Sequence, residues 1–233
     1  MLLYVSRAKI LRRRAEDRVY SFMVVGVMLG CAMEALSYTL DGKVFPGARA
    51  INYIANTYLF STNLLLPFGV LVYFDLALYG DARRIRRLYR PQIAVCAVML
   101  AVTLLSLFLP ITYYIGEDNI YERRPFGYVY YFVIFYFCFC AWRLTRRYER
   151  ENGAMAFFNI LVFLVPILVG AGLQFLFYGL SVGWLAAALG LAGLYMMQQN
   201  EMAYLDSLVD TYNRRYLNHI LSAWKNAAVP SRA

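Results

Sequence analysis

Long apolar stretches separated by short polar turns occupy most of the chain and predict membrane-spanning helices. A helix needs roughly 20 mostly apolar residues to cross the hydrocarbon core of a bilayer, and six stretches meet this requirement. The predicted spans cover residues 19–40, 51–78, 92–115, 127–145, 155–179 and 182–200. The pattern therefore predicts an all-α, polytopic bundle of about six transmembrane helices whose partner is the lipid bilayer.

The polar stretches divide the chain into four segments. Residues 1–18 form a basic, amphipathic N-terminal segment, and residues 19–200 form the six-span domain. Residues 201–212 are expected to continue the sixth span as an exit helix, because residues 194–210 contain neither glycine nor proline. A continuous helix that leaves the bilayer can transmit a shift in packing to the segment that follows it. The remaining segment, residues 213–233, is polar.

Composition agrees with a membrane protein. Hydrophobic residues make up 61% of the 233 residues, and the mean hydropathy is +0.51. Charged residues make up only 16%, whereas about a quarter is usual in soluble domains.

Charge predicts the orientation of the bundle and excludes one class of partner. Of the 23 lysine and arginine residues, 19 lie in the N-terminal segment, the second and fourth loops and the tail. Because positive charge accumulates on the cytoplasmic side, both termini are expected in the cytoplasm. The net charge of +9 is spread over turns that flank the membrane, as headgroup contacts require. This distribution argues against a nucleic-acid partner.

Missing residue types exclude several cofactors. No lysine lies inside a predicted span, which excludes a retinal Schiff base, and the only histidine, His219, lies in the tail. Cys138 and Cys140 project about 200° apart on a helix, which is unsuitable for sharing a metal ion. The four cysteines all lie in apolar stretches and predict buried thiols. We therefore expect no cofactor, no metal and no catalytic residue in this chain.

Polar residues inside the spans are the first candidates for a binding site. Asn52, Asn56 and Asn63 recur at helical spacing and form one stripe on the second span. Glu34 and Gln174 are expected at a depth similar to that of Asn52 and Asn56, toward the outer face. Two interpretations are open: a pocket for an unknown small molecule or lipid, or hydrogen bonds between helices that fix the bundle. For the asparagine stripe alone, the second interpretation is favoured.

The outer loop at residues 113–131 is the second candidate. Its adjacent Arg123 and Arg124 can clamp a carboxylate or phosphate. The alternative is an interfacial belt of tyrosines with salt bridges inside the loop. At the opposite side, Asp75 lies at the cytoplasmic end of the second span beside a basic loop, and a local salt bridge is expected.

Small residues four positions apart occur in two spans. Gly26 and Gly30 lie in the first span, and Ala186 and Gly190 lie in the sixth. Such pairs permit close contact between helices. Packing within one chain is the expected use, and dimerisation is the alternative.

A polar stretch near the C-terminus, LDSLVDTYNRRYLNHIL at residues 205–221, resembles the first motif of the GGDEF domain of diguanylate cyclases. In that motif a helix leads into a pattern close to Asp-x-Leu-Thr-Gly-Leu-x-Asn-Arg-Arg. The matching positions here are Asp206, Leu208, Asn213, Arg214 and Arg215. Val209, Asp210 and Thr211 depart from the usual Thr-Gly-Leu, and the match covers only some 20 residues.

The resemblance implies a function for the membrane domain. It implies an input module in a bacterial inner membrane, with residues 213–233 as the start of a GGDEF-like domain that makes cyclic di-GMP in the parent protein. The signature Gly-Gly-Asp-Glu-Phe does not occur in the 233 residues, so this chain is not expected to be an enzyme. The family also implies a homodimer. Residues assigned to signal transmission are Met202, Leu205, Asp206, Leu208, Asn213, Arg214 and Arg215.

Two other function classes remain open. In a small six-span transporter or channel, the polar stripe would line a pathway. In a membrane enzyme acting on lipid, a catalytic pair at the interface would be needed, and the sequence supplies none.

Overall fold

The computed structural model describes residues 2–152, 159–177 and 179–203, with side chains from Ala15 to Met197 within these ranges and also at Gln199. Seven α-helices, two β-strands and one 3₁₀ turn lie in the described parts of the chain. They are α1 (Leu2–Leu40), α2 (Ala48–Tyr79), α3 (Ala82–Leu88), α4 (Arg90–Leu105), β1 (Tyr113–Ile115), β2 (Tyr121–Arg123), the 3₁₀ turn (Pro125–Tyr128), α5 (Val129–Asn152), α6 (Ile160–Leu176) and α7 (Gly183–Ala203).

The helices give the chain the architecture of a helical membrane protein. Three of them are long and apolar enough to cross a bilayer: Ala15–Leu40 within α1, α2, and α5 with its preceding 3₁₀ turn. A fourth is added if α3 and α4, which are bent by 71°, count as one span. The apolar parts of α6 (Ile160–Leu176) and α7 (Gly183–Met197) are shorter than the roughly 20 residues that a span needs. Helix α6 has 17 residues and is about 26 Å long at 1.5 Å per residue.

The third predicted span was too long. Helix α4 ends at Leu105, and residues 106–112 form a turn. Ser106 stabilises this turn, because its Oγ accepts hydrogen bonds from the amide N–H of Thr112 at 3.2 Å and from the hydroxyl of Thr112 at 2.7 Å. The stretch is apolar, but Phe108 is 84% exposed. Its hydrophobicity therefore suggested a helix that the backbone does not form.

The loop at residues 113–131 contains the one departure from an all-α fold among the described residues. Strands β1 and β2 pair antiparallel, with Tyr113 opposite Arg123, Tyr114 opposite Glu122 and Ile115 opposite Tyr121. Gly116 and Asn119 lie in the connecting turn, and the amide N–H of Asn119 donates to the carbonyl of Gly116 at 3.1 Å. We call residues 113–123 the hairpin.

Helix α2 is the centre of the bundle. More than half of its 32 residues are buried, and Leu64, Leu71 and Phe74 have essentially no exposed surface. The ring of Phe74 contacts that of Phe163 edge to face at 5.8 Å, which joins α2 to α6. Large apolar side chains such as Met28, which is 67% exposed, lie on the outer faces of the helices, where lipid can cover them.

Glycines allow the helices to approach one another within the chain. A Cβ on Gly30 would lie 2.2 Å from the indole ring of Trp184 in α7, and one on Gly26 would lie 3.1 Å from Leu66 in α2. A Cβ on Gly190 would lie 3.0 Å from the carbonyl oxygen of Phe163 in α6. The expected intramolecular use of both small-residue pairs is therefore confirmed, since lipid-embedded helices depend on such close packing.

The connections of the bundle cluster at two ends. At one end, the Tyr38 hydroxyl donates to the Gly179 carbonyl at 3.1 Å, and Asn119 Nδ2 donates to the Lys43 carbonyl at 2.9 Å. These bonds bring the α1–α2 connection, the hairpin and the α6–α7 connection together, and we call this the hairpin end. At the opposite, basic end, Tyr79 contacts Tyr148 edge to face at 5.3 Å, close to α3 and the end of α5.

Candidate functional site

A cavity of about 220 Å³ opens at the hairpin end. Residues from α1, α2, α5, α6, α7, the hairpin and the 3₁₀ turn line it, so every part of the bundle except α3 and α4 contributes among the described residues. Its polar lining includes Glu34, Ser37, Asn56, Asn63, Arg123 and Gln174. The cavity is therefore mixed in character, with charged groups of both signs.

The structure brings most of the sequence-predicted site residues to this one cavity. Five of the seven line it: Glu34, Asn56, Asn63, Arg123 and Gln174. Asn52 is fully buried behind the lining and contacts Asn56. Arg124 lies outside, where its Nη2 pairs with Glu122 at 3.2 Å and its guanidinium lies 5.3 Å from the ring of Tyr114. The salt bridge within the loop is thus observed for Arg124, whereas Arg123 faces the cavity.

Glu34 is the buried carboxylate of the site. It is 8% exposed, Gln174 Nε2 approaches its Oε1 at 3.5 Å, and Ser181 lies within hydrogen-bonding reach. Within the described parts of the chain, no salt bridge joins Glu34 to a lysine or arginine. A carboxylate that is removed from water and faces only neutral donors is expensive to keep charged. A cationic group entering the cavity would relieve this cost.

Asn52 and Asn56 take part in hydrogen bonds that join α1 to α2. Asn56 Nδ2 donates to Asn52 Oδ1 at 2.8 Å and to Ser37 Oγ at 2.8 Å, and the Ser37 hydroxyl donates to Asn52 Oδ1 at 3.0 Å. These bonds fix α1 to α2 at the floor of the cavity. The two interpretations of the asparagine stripe therefore apply to different residues: Asn52 is structural, Asn63 lines the cavity, and Asn56 does both.

Asn119, like Trp184 in the cavity lining, is a residue that sequence reasoning missed. It is 1% exposed, in the left-handed backbone region with φ 59°. Its Oδ1 accepts from Asn52 Nδ2 at 3.2 Å, and its Nδ2 donates to the carbonyls of Leu40 and Lys43 at 2.7 and 2.9 Å. Asparagine tolerates this backbone region better than most residues, so the Glu-Asp-Asn turn in the sequence carried a signal for the turn but not for its partners.

Aromatic rings form the wall of the cavity beside the charged groups. The ring of Phe60 stacks on Tyr113 at 5.3 Å and meets Tyr130 edge to face at 4.9 Å. The Arg123 guanidinium lies 5.5 Å from the ring of Tyr128 and 5.3 Å from that of Tyr131. These distances are within the range for cation–π attraction, which holds Arg123 toward the cavity.

Tyr113 joins the hairpin to α2. Its hydroxyl lies 2.7 Å from Thr57 Oγ1, and its ring has no exposed surface. Burial raises the pKa of Tyr113 to about 12, because a phenolate is less stable away from water. The hairpin is thus anchored on α2 by a neutral hydroxyl contact as well as by Asn119.

A second, smaller cavity of about 60 Å³ lies beside the first, toward the middle of the bundle. The two cavities share Asn63, Tyr131, Ile134, Gln174 and Trp184 in their linings, so they are adjacent, and we call them the outer and the inner chamber. The inner chamber is bordered mainly by apolar side chains. They include Met23, Val27, Leu66, Phe163, Ile167 and Leu191.

At the basic end, Asp75 occupies a different polar cluster. It has no exposed surface, and its Oδ2 accepts from Arg84 Nε at 3.1 Å and from the Tyr89 hydroxyl at 2.7 Å. The Arg84 guanidinium also lies 3.7 Å from the ring of Tyr79. The expected local salt bridge at Asp75 is therefore confirmed, and it ties the end of α2 to the α3–α4 bend.

Comparison with known proteins adds no assignment to this geometry. No family model, no curated protein and no solved structure matches the chain. Within the described residues, no group of three or more histidine, cysteine, aspartate or glutamate side chains is placed to hold a metal ion. The fold and site define a helical membrane protein with a mixed-charge cavity that opens at the hairpin end.

The predicted signal-transmission residues are mostly beyond the described chain. Leu205, Asp206, Leu208, Asn213, Arg214 and Arg215 lie outside the described residues. Met202 lies in the last turn of α7, for which only the backbone is described. Helix α7 runs without interruption from Gly183 to Ala203, through the polar residues that follow Met197.

Proposed function

We propose that the chain is a transmembrane sensory module that binds a small ligand in the hairpin-end cavity and transmits its occupancy through α7. The observation that supports this most directly is the position of Trp184. Its side chain lines both chambers and belongs to the first turn of α7. A ligand in the cavity would therefore contact the helix that extends to Ala203.

The packing of α7 supports its use as the moving element. Trp184 sits against Gly30 of α1, and the Tyr20 hydroxyl donates to the Leu191 carbonyl at 3.3 Å further along the same interface. A ligand shifts such an interface only if it binds two packings with different affinity. Displacement of Trp184 from the Gly30 contact would provide that difference, because interfaces between packed helices change between discrete arrangements and do not deform continuously.

The topology we propose has six spans, with both termini in the cytoplasm of a bacterium and the hairpin end outside. Three connections meet at the hairpin end, while the arginine-rich α3 and the basic end of α5 lie opposite. Each of the six predicted spans overlaps a helix. The short apolar parts of α6 and α7 reach across by local thinning of the bilayer or by interfacial anchoring.

The output we propose is a cytoplasmic GGDEF-type domain in a homodimeric parent protein. Its support is the resemblance of residues 205–221 to the entry motif of that family, together with the uninterrupted helix that leads toward it. Cyclic di-GMP synthesis would then belong to the parent protein and not to the membrane module.

A fusion of residues 1–233 to an active diguanylate cyclase domain tests this function. Trp184→Ala is expected to change cellular cyclic di-GMP several-fold relative to the unmodified fusion. Trp142→Ala is the matched control, because Trp142 is 37% exposed and lines neither chamber. Glu34→Gln and Asn56→Ala extend the test to the outer chamber. Unchanged cyclic di-GMP in all three cavity variants would contradict the proposal.

A transporter is the second candidate function. The 71° bend between α3 and α4 resembles the interrupted helices that many transporters use near their substrates. The bend lies at the basic end and does not border either chamber, which weakens this reading. Liposomes that contain the full chain would distinguish the two, since saturable solute flux favours transport.

A further inference from the structure

Charged groups of both signs border the outer chamber. Glu34 and Asp41 contribute carboxylates, and Arg123 contributes a guanidinium that is always protonated in proteins. A purely anionic ligand would meet two carboxylates, and a purely cationic ligand would meet Arg123. The charge pattern therefore favours a ligand that carries both signs, because each unfavourable contact rejects a competitor with one charge only.

The aromatic wall adds a preference for the position of the cation. Tyr38 and Tyr130 border the same chamber as Glu34, whereas the ring of Tyr131 lies against the Arg123 guanidinium at 5.3 Å. Aromatic rings attract ammonium groups, most strongly where water is excluded. An ammonium group therefore fits beside Glu34, Tyr38 and Tyr130, and a carboxylate fits on the side of Arg123.

The inner chamber accounts for the rest of the ligand. Its apolar lining, with Phe163 and Trp184 among the larger side chains, offers no charged partner within the described residues. A dry engineered cavity of roughly 150 Å³ holds benzene. By this ratio, the chambers of about 220 and 60 Å³ together admit a molecule of roughly a dozen non-hydrogen atoms.

The geometry points to a small zwitterion with an apolar body, such as an aromatic or large aliphatic α-amino acid, as the ligand class of this site. This inference rests on the proposed sensor function and names what the sensor binds. The ammonium group binds Glu34, the carboxylate binds Arg123, and the apolar body enters the inner chamber beside Trp184. Binding then joins α1, the hairpin and α7 through one molecule.

Calorimetric titration of the full chain in nanodiscs tests the ligand class with four probes. Phenylalanine carries both charges, phenethylamine only the ammonium, 3-phenylpropanoate only the carboxylate, and glycine lacks the apolar body. Phenylalanine is expected to bind at least tenfold more tightly than each of the other three. Equal binding of phenethylamine or 3-phenylpropanoate, or no binding of phenylalanine, would overturn the proposal.

Charge-removing variants assign the two ends of the ligand. Glu34→Gln is expected to weaken the binding of phenylalanine at least tenfold without weakening the binding of 3-phenylpropanoate. Arg123→Gln is expected to weaken the binding of phenylalanine without weakening the binding of phenethylamine. Arg124→Gln and Glu117→Gln are the matched controls, because neither residue lines the cavity, and both should leave phenylalanine affinity within twofold. Size-exclusion profiles and melting temperatures verify that each variant is folded.

The two experiments test the ligand class and the sensor function separately. If phenylalanine binds as expected but does not change cyclic di-GMP in the fusion, the ligand class stands and the sensor function fails. If phenylalanine does not bind while Trp184→Ala still changes cyclic di-GMP, the sensor function stands and the ligand class is overturned.

Discussion

At the residue scale, Asn119 determines how the hairpin is held. Its amide bonds to Asn52 on α2 and to two carbonyls at the end of α1 and beyond it. The bonds to Asn52 and Leu40 are buried and the bond to Lys43 is partly buried, so removing the amide leaves buried donors and acceptors without partners. A buried group that loses its partner costs about 1–3 kcal/mol.

We therefore expect Asn119→Ala to lower the free energy of unfolding by about 2–3 kcal/mol, since several bonds are lost and alanine is also disfavoured at positive φ. Denaturant titration in detergent micelles measures the change. Glu117→Gln in the same turn is the control and should stay within about 0.5 kcal/mol, because Glu117 is exposed. Equal stability of the two variants would show that Asn119 does not anchor the hairpin.

The contrast between Asn119 and the predicted site residues shows what the sequence could reveal. Asn56, Asn63 and Glu34 lie in long apolar helices, where a polar side chain is conspicuous and helical spacing gives its direction. Their convergence on one cavity followed from that regularity. Asn119 lies in a polar turn, where an asparagine is ordinary, and its partner Asn52 is 67 residues away. Only the tertiary arrangement reveals such a contact.

At the element scale, the closeness of α1 and α7 depends on a glycine. The Trp184 ring occupies the space that a side chain on Gly30 would fill. A larger residue there must displace either the ring or the helix. This contact also positions the cavity wall, so packing and the candidate site are linked at one residue.

We expect Gly30→Ala to destabilise the chain by about 1–3 kcal/mol, as overpacking usually does, and to change the emission of Trp184. Gly172→Ala in α6 is the matched control, because a Cβ there has no neighbour within 4 Å. That substitution should leave stability unchanged or raise it by up to about 1 kcal/mol through helix propensity. Thermal unfolding in detergent distinguishes the two, and equal melting temperatures would refute the contact.

The α3–α4 bend gives a second prediction for an element. Removing the Arg84 side chain leaves the buried Asp75 without its cation. Breaking a fully buried pair costs about 3–5 kcal/mol, and because Arg84 is 29% exposed we expect a loss near the lower end of that range. Arg84→Gln should therefore be much more destabilising than Arg83→Gln, whose side chain is exposed. Unfolding titrations of both variants measure the difference. Similar values would mean that water already satisfies Asp75.

Helix α4 shows that hydrophobicity alone does not predict where a helix ends, because α4 ends at Leu105 and the predicted span ended at residue 115. Residues 106–112 are rich in leucine and include Phe108, so the pattern extended the third span to residue 115. Hydrophobicity reports that a segment can leave water, and it does not report the backbone conformation. Here Ser106 and Thr112 hydrogen-bond to each other across a turn that includes Pro110, and proline supplies no N–H for a continuing helix.

At the scale of the whole molecule, the side of the membrane on which each connecting loop lies distinguishes a six-span topology from a four-span topology. In a background without the natural cysteines, we expect Leu180→Cys and Glu117→Cys to react with an impermeant maleimide added to intact cells. Asn159→Cys and Arg86→Cys should react only after permeabilisation. Labelling of Leu180→Cys only after permeabilisation would mean that α6 and α7 do not cross, and it would contradict the six-span topology.

The hydrogen bond between Tyr38 and Gly179 has a consequence for the rate of ligand entry. Both residues border the outer chamber, and the bond is exposed, whereas the hairpin beside it is pinned by buried bonds. An exposed hydrogen bond of this kind contributes about 1 kcal/mol, so its loss makes this side of the chamber easier to open. Tyr38→Phe should therefore raise the association and dissociation rates of phenylalanine together in stopped-flow measurements, with little change in Kd. The residence time of the ligand, and with it the duration of a signal, would then depend on the Tyr38 hydroxyl at the rim.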